Sequence, residues 1–507
     1  MVALSRDFGA TWDERALQKY GEDIWAYFTG RLPRSGIDIS FGYTYIYGGL
    51  FEVLCLAAQH LVKADAYVVR HAVNAFFGWS GIVCAFVMTK RLFGQRAAWL
   101  AVALLVSMPR YIGESMNNPK DLPFAVLMLL GFYYIVTLSP RYPYLSWPHA
   151  VKLALAIALA LNVRSMGLSL LGYTAVALVL LVVASREWSP ARLGATAGRF
   201  AVVTVLALIV GTAFWPWAQD QPLVRPIQAF FLASTFSWGI SSLFAGRDVA
   251  AASIPWYYLP TWLAITLPPV VIAGAFMSLW RWKRSPDSRV PLAALWAFFL
   301  LPATMVIVRH LTLYDGIRHV FFIVPPLAII AAAGWDRLLE ASRTRLVAGL
   351  LVAVGIAEPL AFQVRNHPNQ NVYFSPMIGG PRGAFLNFEM DYWGNCVLSA
   401  VKWSNEQAQL ARMPLVVTGN AWEVVIVDTY RFPSLVFERS YRNSSHLDIR
   451  LLKGPRQSVL DTNARDDIVH RVVMADGTPI CVVVPGPAYP QLKERLAHVS
   501  EWSSGSK

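Results

Sequence analysis

Continuous apolar runs of about 17–23 residues recur along the chain before residue 364, and they leave few architectures open. A helix rises about 1.5 Å per residue, so a run of this length matches the roughly 30 Å hydrocarbon core of a bilayer. The composition agrees, with 56% hydrophobic against 15% charged residues in a chain of 507. A soluble globule is excluded on those numbers. An outer-membrane barrel is excluded as well, because its strands alternate in polarity and lack continuous apolar runs. The fold expected is mainly α: a polytopic membrane helix bundle with spans near 70–89, 97–113, 122–138, 150–166, 168–184, 200–215, 257–279, 290–308, 319–335 and 346–363. Aromatic pairs such as Trp215 with Trp217 and Trp280 with Trp282 mark the interfacial ends of these runs.

The net charge of +13 does not point to nucleic acid, because most of the excess sits in short loops. The basic loops at 90–96, 141–152, 186–199, 281–289 and 337–345 all fall on one side of the span count, and the positive-inside rule names that side the cytoplasm. A multi-pass membrane protein with these loops in the cytoplasm is expected. The further apolar stretch 43–62 would break the alternation if it spanned. It carries Gly48, Gly49, Glu52 and His60, and is read as a helix in the outer interface.

Three parts follow from this topology. Residues 1–69 form a first extracytoplasmic loop with the interfacial helix, and a preceding transmembrane helix is expected upstream of residue 1. Residues 70–363 form the bundle, with a long outer loop at 217–255. Residues 364–507 form a small extracytoplasmic α/β domain, with strands at 414–418, 423–430 and 435–441, a hairpin over 470–484 about Asp476-Gly477, and helices near 394–411 and 491–502. The four cysteines show no metal-ligand spacing. Cys396 and Cys481 both lie where a disulfide is permitted, although their separation in sequence says nothing of their distance.

Chemistry-bearing residues gather on the outer side. Asp13 and Glu14 stand together beside Trp12, where a carboxylate can take a proton from a hydroxyl or amine; the competing reading is a solvated acidic loop. In Asn117-Asn118-Pro119-Lys120-Asp121-Leu122-Pro123, two prolines bracket a helix start. Capping accounts for Asp121 there but not for Lys120 or the paired asparagines. Arg164, Arg309, His310, Arg318 and His319 lie near the outer ends of spans, where a cation either holds an anion, snorkels to the interface, or pairs with Asp315.

Asp13-Glu14 in the first outer loop, Arg70 opening a span that ends in Lys90-Arg91-Leu92-Phe93-Gly94, and Asp121 after the next span together resemble the membrane-embedded GT-C glycosyltransferases. The nearest likeness is to bacterial relatives of the protein O-mannosyltransferases (family 39) and of the lipid A aminoarabinose transferase. Tyr314-Asp315-Gly316-Ile317-Arg318-His319, His367-Pro368, Tyr373-Phe374 and Gly379-Gly380 look like their later motifs, so the likeness runs from about residue 8 to 395. The resemblance implies a polyprenyl-phosphate sugar donor, Asp13 as general base, Glu14 beside it, and Asp121 as a second acid that orients the acceptor or assists Asp13.

Elementary chemistry supports the same reading. A sugar held through phosphate departs from an already stabilised anion, so a base for the nucleophile and cations for the phosphate suffice. Lys120, Arg164, Arg318 and His319 are the expected phosphate-binding residues. A single displacement inverts the anomeric centre. Hard oxygen ligands on Asp13, Glu14 or Asp121 would suit Mg²⁺ or Mn²⁺, but three loop carboxylates are a weak metal site, and no cofactor or metal is expected. The acceptor stays open among protein, lipid and glycan. The rival readings are a transporter or flippase of a lipid-linked glycan, disfavoured by the lack of an internal repeat and of mid-membrane charge, and a scaffold presenting the C-terminal domain.

Overall fold

Proline decides where the expected spans hold and where they break. The structure is a computed structural model that describes residues 1–37, 44–186, 188–235, 239–419, 432–438 and 442–504. It opens with helix α1 (Trp12–Phe28), followed by α2 (Leu50–Leu61) and α3 (Ala66–Phe93). Twelve residues make α2 about 18 Å long, shorter than a bilayer core. Asp65 caps α3 by accepting from the Tyr67 and Val68 amides at 2.9 and 3.2 Å.

The expected span 97–113 is instead two helices. Here α4 (Gln95–Ser107) stops at Met108, which is pushed to extended backbone by Pro109, and α5 (Pro109–Asn117) begins afresh. Next, α5 turns by 113° into α6 (Asp121–Val136) across Pro119. Leu267-Pro268 breaks the expected span 257–279 by the same means, again at 113°. Among the described residues six helices are long and apolar enough to cross a membrane, or eight if each bent pair counts as one crossing. This corrects the expected ten: the runs are helical in the expected order, but prolines cut two of them, and α4 and the Trp147–Leu161 helix are short.

Three helices connect two chemically different ends. α3 runs from Arg70 to Lys90, α6 leads away from Asp121, and the segment Arg318–Glu340 runs from Arg318 to Asp336. At the far end the basic loops meet one another. Asp336 binds Arg96 Nε at 2.5 Å and Arg281 Nη1 at 2.7 Å, while Arg199 donates to the Leu145 carbonyl at 2.9 Å. The acids and cations singled out above collect at the opposite end.

That end is covered by two β structures. A hairpin of β1 (Ser241–Phe244) and β2 (Arg247–Ala250) lies within the long loop 217–255. The C-terminal sheet has the order β4-β3-β5-β7-β6, built from β3 (Leu415–Gly419), β4 (Leu435–Phe437), β5 (Leu447–Leu451), β6 (His470–Val473) and β7 (Pro479–Pro485). Strand β7 is apolar on both faces because both are covered. Cys481 and Val483 belong to the main core with Val397 and Val401, while Val482 and Val484 pack with Val459, Phe385 and Leu386. Cys396 and Cys481 form a disulfide with Cα atoms 6.1 Å apart, fixing the Val397–Ala411 helix to the sheet.

The expected strands at 414–418 and 435–441, the hairpin about Gly477 and both helices are present, although 439–441 and the expected strand 423–430 lie outside the described residues. β5 and the Arg456–Asn463 helix are additional. The stretch 366–395 packs on the bundle: the Ser375 amide donates to Ile265 O at 2.7 Å, and Trp393 donates to Glu114 at 3.2 Å.

Candidate active site

The local fold of residues 11–14 separates two neighbouring carboxylates. Thr11 and Glu14 form a capping box: the Glu14 carboxylate accepts from the Thr11 amide at 2.8 Å, and this starts α1 at Trp12. Successive helical residues point about 100° apart, so Asp13 and Glu14 face different surroundings. Glu14 turns inward, 1% exposed, to His71 Nε2 at 3.1 Å and Arg70 Nε at 3.8 Å. Arg70 also binds Glu52 at 2.6 Å, so this group is a closed buried network behind the helix.

Asp13 faces the other way. Its Oδ2 meets Lys120 Nζ at 2.9 Å and Arg318 Nη1 at 3.3 Å, whereas Oδ1 takes no hydrogen bond or ion pair from the described residues. Burial alone would raise the Asp13 carboxyl, but Lys120 and Arg318 override it and hold it down at about 2. Its side chain is 28% exposed, so the site is open on this side.

Asp121 sits in the first turn of α6, but the capping is done by Asn118. The Asn118 side-chain oxygen accepts from the Asp121 amide at 2.8 Å and the Lys120 amide at 3.3 Å. The Asp121 carboxylate is thereby released to form an ion pair with Arg164. The second asparagine, Asn117, donates to Gly9 O at 3.2 Å and ties the segment before α1 to the site.

Arg164 and Lys120 flank the Tyr47 ring, with charges 5.6 and 5.1 Å from its centroid. Close approach places Tyr47 there: the Gly49 amide donates to Phe214 O at 2.9 Å, and a Cβ on Gly48 would overlap the Asn162 backbone. Burial raises the Tyr47 phenol, yet Lys120 and Arg164 together bring it below its ordinary value, a sign that the local field is positive. Arg318 lies over Tyr314 at 4.8 Å and Trp393 at 5.2 Å, and its Nη2 reaches Asp315 at 3.1 Å. His319 packs edge-on to Tyr314 with ring centroids 4.5 Å apart, and its Nδ1 makes no hydrogen bond among the described residues.

Of the seven residues given a catalytic or phosphate-binding role in the sequence, six therefore share one constellation: Asp13, Asp121, Lys120, Arg164, Arg318 and His319. Glu14 stands apart from it. Sequence reasoning overlooked Tyr47, the Glu114 carboxylate held by Asn118, Tyr392 and Trp393, and Lys453, whose Nζ binds Asp315 at 2.7 Å. The pattern Thr11-Trp12-Asp13-Glu14 did carry a capping-box signal that would have placed α1 and separated the two acids. Among the described residues no three of His, Cys, Asp and Glu group as metal ligands.

No family model matches the chain, and no curated protein matches it. Among solved structures it is similar to ArnT from Cupriavidus metallidurans in the apo state, at 15% identity over 92% of this chain and 93% of that one, with a TM-score of 0.48. The same enzyme bound to undecaprenyl phosphate aligns at 16% identity over 92% and 93%, with a TM-score of 0.46. The Archaeoglobus fulgidus oligosaccharyltransferase in complex with Zn and sulfate aligns at 13% identity over 88% of this chain and 64% of that one, with a TM-score of 0.45. These likenesses concern the course of the chain; the functional argument rests on the site's own residues.

Proposed function

We propose that this protein is an inverting glycosyltransferase that moves a sugar from a polyprenyl-phosphate donor to an acceptor hydroxyl or amine on the extracytoplasmic face of a bacterial inner membrane. One observation carries the reading: a half-open carboxylate, Asp13, shares its single engaged oxygen between two cations that are suited to phosphate. The acceptor oxygen or nitrogen attacks the anomeric carbon, the bond from that carbon to the phosphate oxygen breaks, and polyprenyl phosphate leaves with the electron pair. The acceptor's proton passes to Asp13, whose Oδ1 is uncommitted. Lys120, Arg318 and Arg164 take up the negative charge that develops on the leaving phosphate, with His319 beside them.

The depressed Asp13 carboxyl fits this sequence. While Lys120 and Arg318 hold it, Asp13 is ionised but weakly basic. A donor phosphate competes for the same two cations and returns basicity to the carboxylate as the substrate loads. Asp121, paired with Arg164, orients the acceptor. Glu14 has no place in the chemistry of this proposal and serves to hold α1, and with it Asp13, in register. Each reacting carboxylate is already matched by a side-chain cation, and the proposal invokes no metal.

The test incubates the purified protein and its Asp13→Asn form with labelled polyprenyl-phosphate sugars, in chelator, and follows acceptor-dependent release of polyprenyl phosphate. Wild type is expected to release it, and Asp13→Asn to lose about 10³-fold in rate. Equal release from both removes Asp13 as base; movement of the lipid without release favours a flippase.

A further inference from the structure

Lys453 is the one contribution of the C-terminal sheet domain to this constellation among the described ion pairs. It lies two residues beyond β5, in Leu452-Lys453-Gly454-Pro455, and its backbone is fixed from two sides. The Leu452 amide donates to Ile480 O at 3.0 Å within the sheet, and the Arg456 amide donates to Asp248 of the β1–β2 hairpin at 3.0 Å. From there the ammonium reaches Asp315 Oδ1 at 2.7 Å and stands 5.3 Å from the ring of Trp12, the neighbour of Asp13.

Asp315 is itself unusual. It and Gly316 both take positive φ, +54° and +71°, in a turn that places the Asp315 carboxylate against Arg318 three residues on. One carboxylate thus serves two cations, Arg318 on Oδ2 and Lys453 on Oδ1. Counted over the linked pairs, Lys120, Arg164, Arg318 and Lys453 face Asp13, Asp121 and Asp315, an excess of one positive charge. Glu389 lies beside this group, accepting from Ser242 at 2.7 Å. Burial pushes its carboxyl up to about 7, against the pull of Lys453 and with the help of Asp315, so near neutral pH it draws on only part of the excess. Without Lys453 the cluster would be neutral, and Asp315 would be left to Arg318 alone.

Building on the donor reading above, we propose that Lys453 is a positioning residue of the phosphate site: by sharing Asp315 it leaves Arg318 charge available to the donor phosphate. The docked C-terminal domain is therefore part of the donor site, and acceptor recognition need not be its whole purpose. Exchange of Lys453 for a neutral side chain of similar length weakens capture of the phosphate while leaving the lipid chain's contribution intact.

The experiment uses the full chain in nanodiscs and measures binding of undecaprenyl phosphate, with undecaprenol as the uncharged probe. Lys453→Met is expected to weaken phosphate-lipid binding roughly tenfold, as for the loss of one charge-assisted contact, with undecaprenol unaffected. Lys453→Arg should stay within about twofold of wild type. The double variant Asp315→Asn with Lys453→Met should recover most of the loss, since nothing then claims Arg318. Asp315→Asn alone should bind at least as tightly as wild type, and it serves if Lys453→Met does not fold. Unchanged binding in Lys453→Met, with weakened binding in Arg318→Ala, overturns the role of Lys453 and leaves the transferase reading standing. A wild type that binds undecaprenol as well as undecaprenyl phosphate overturns both.

Discussion

Two ion-pair clusters stand at opposite ends of the bundle and differ in how completely their carboxylates are satisfied. At the basic end both oxygens of Asp336 are taken, Oδ1 by Arg96 and Oδ2 by Arg281, and the same arginines also donate to the carbonyls of Asp336 and Ala333 at 3.3 Å. Such a cluster joins the start of α4, the end of the Pro269–Arg284 helix and the end of the Val324–Glu340 helix, and it leaves neither Asp336 oxygen open. At the other end Asp13 engages its two cations through one oxygen only and is partly open. A carboxylate bonded through both oxygens welds helices, whereas one that keeps an oxygen open and partly exposed is free to take a proton.

The sharpest way to break that contrast is to neutralise each aspartate in turn. The Asp13→Asn variant should lose transfer activity by about 10³-fold with only a small fall in melting temperature, since Asp315 still holds Arg318. Asp336→Asn should do the reverse: it strands Arg281, 11% exposed, and should cost about 3 kcal/mol of stability, with kcat in the surviving folded protein unchanged. Denaturation midpoints measured beside initial rates check both, and equal stability losses in the two variants would erase the distinction.

A smaller effect is expected from arginine to lysine exchange. Arg318 uses two separate nitrogens for Asp13 and Asp315, a fork that lysine does not possess. Arg318→Lys should raise the donor KM roughly tenfold, whereas Arg337→Lys, in an exposed pair with Glu340 at 2.7 Å, should leave it unchanged. Steady-state kinetics with varied donor separates the two.

The smallest effect concerns pH. Because the folded Asp13 carboxyl lies at about 2, below its ordinary 3.8, its pairing contributes stability that is fully present above about pH 4 and is lost as pH falls through about 2. The stability difference between wild type and Asp13→Asn should stay level from pH 7 to about 4 and shrink below that. A difference that persists at pH 2 would detach Asp13 from Lys120 and Arg318.

Much of this could be read without coordinates. Run length gave the order of the helices, but the expected spans 97–113 and 257–279 ran through Pro109 and Pro268, and only the structure showed the breaks and the two bent pairs. Placing the acids and the cations on one side also followed from counting loops. Their assembly did not, since Asp13 and Arg318 are 305 positions apart and nothing local couples them.

What the sequence by itself determined was the class of solvent this chain must satisfy and the residue types stranded at the ends of its spans, because helix length, proline chemistry and charge cost are properties of short segments. Only the tertiary structure decided which of two adjacent acids faces the cations, that Asn118 and not Asp121 caps α6, and that Lys453 reaches Asp315 from another domain. Those outcomes depend on helix rotation and on pairings between distant segments, which are fixed by packing and by the need to leave no buried charge alone.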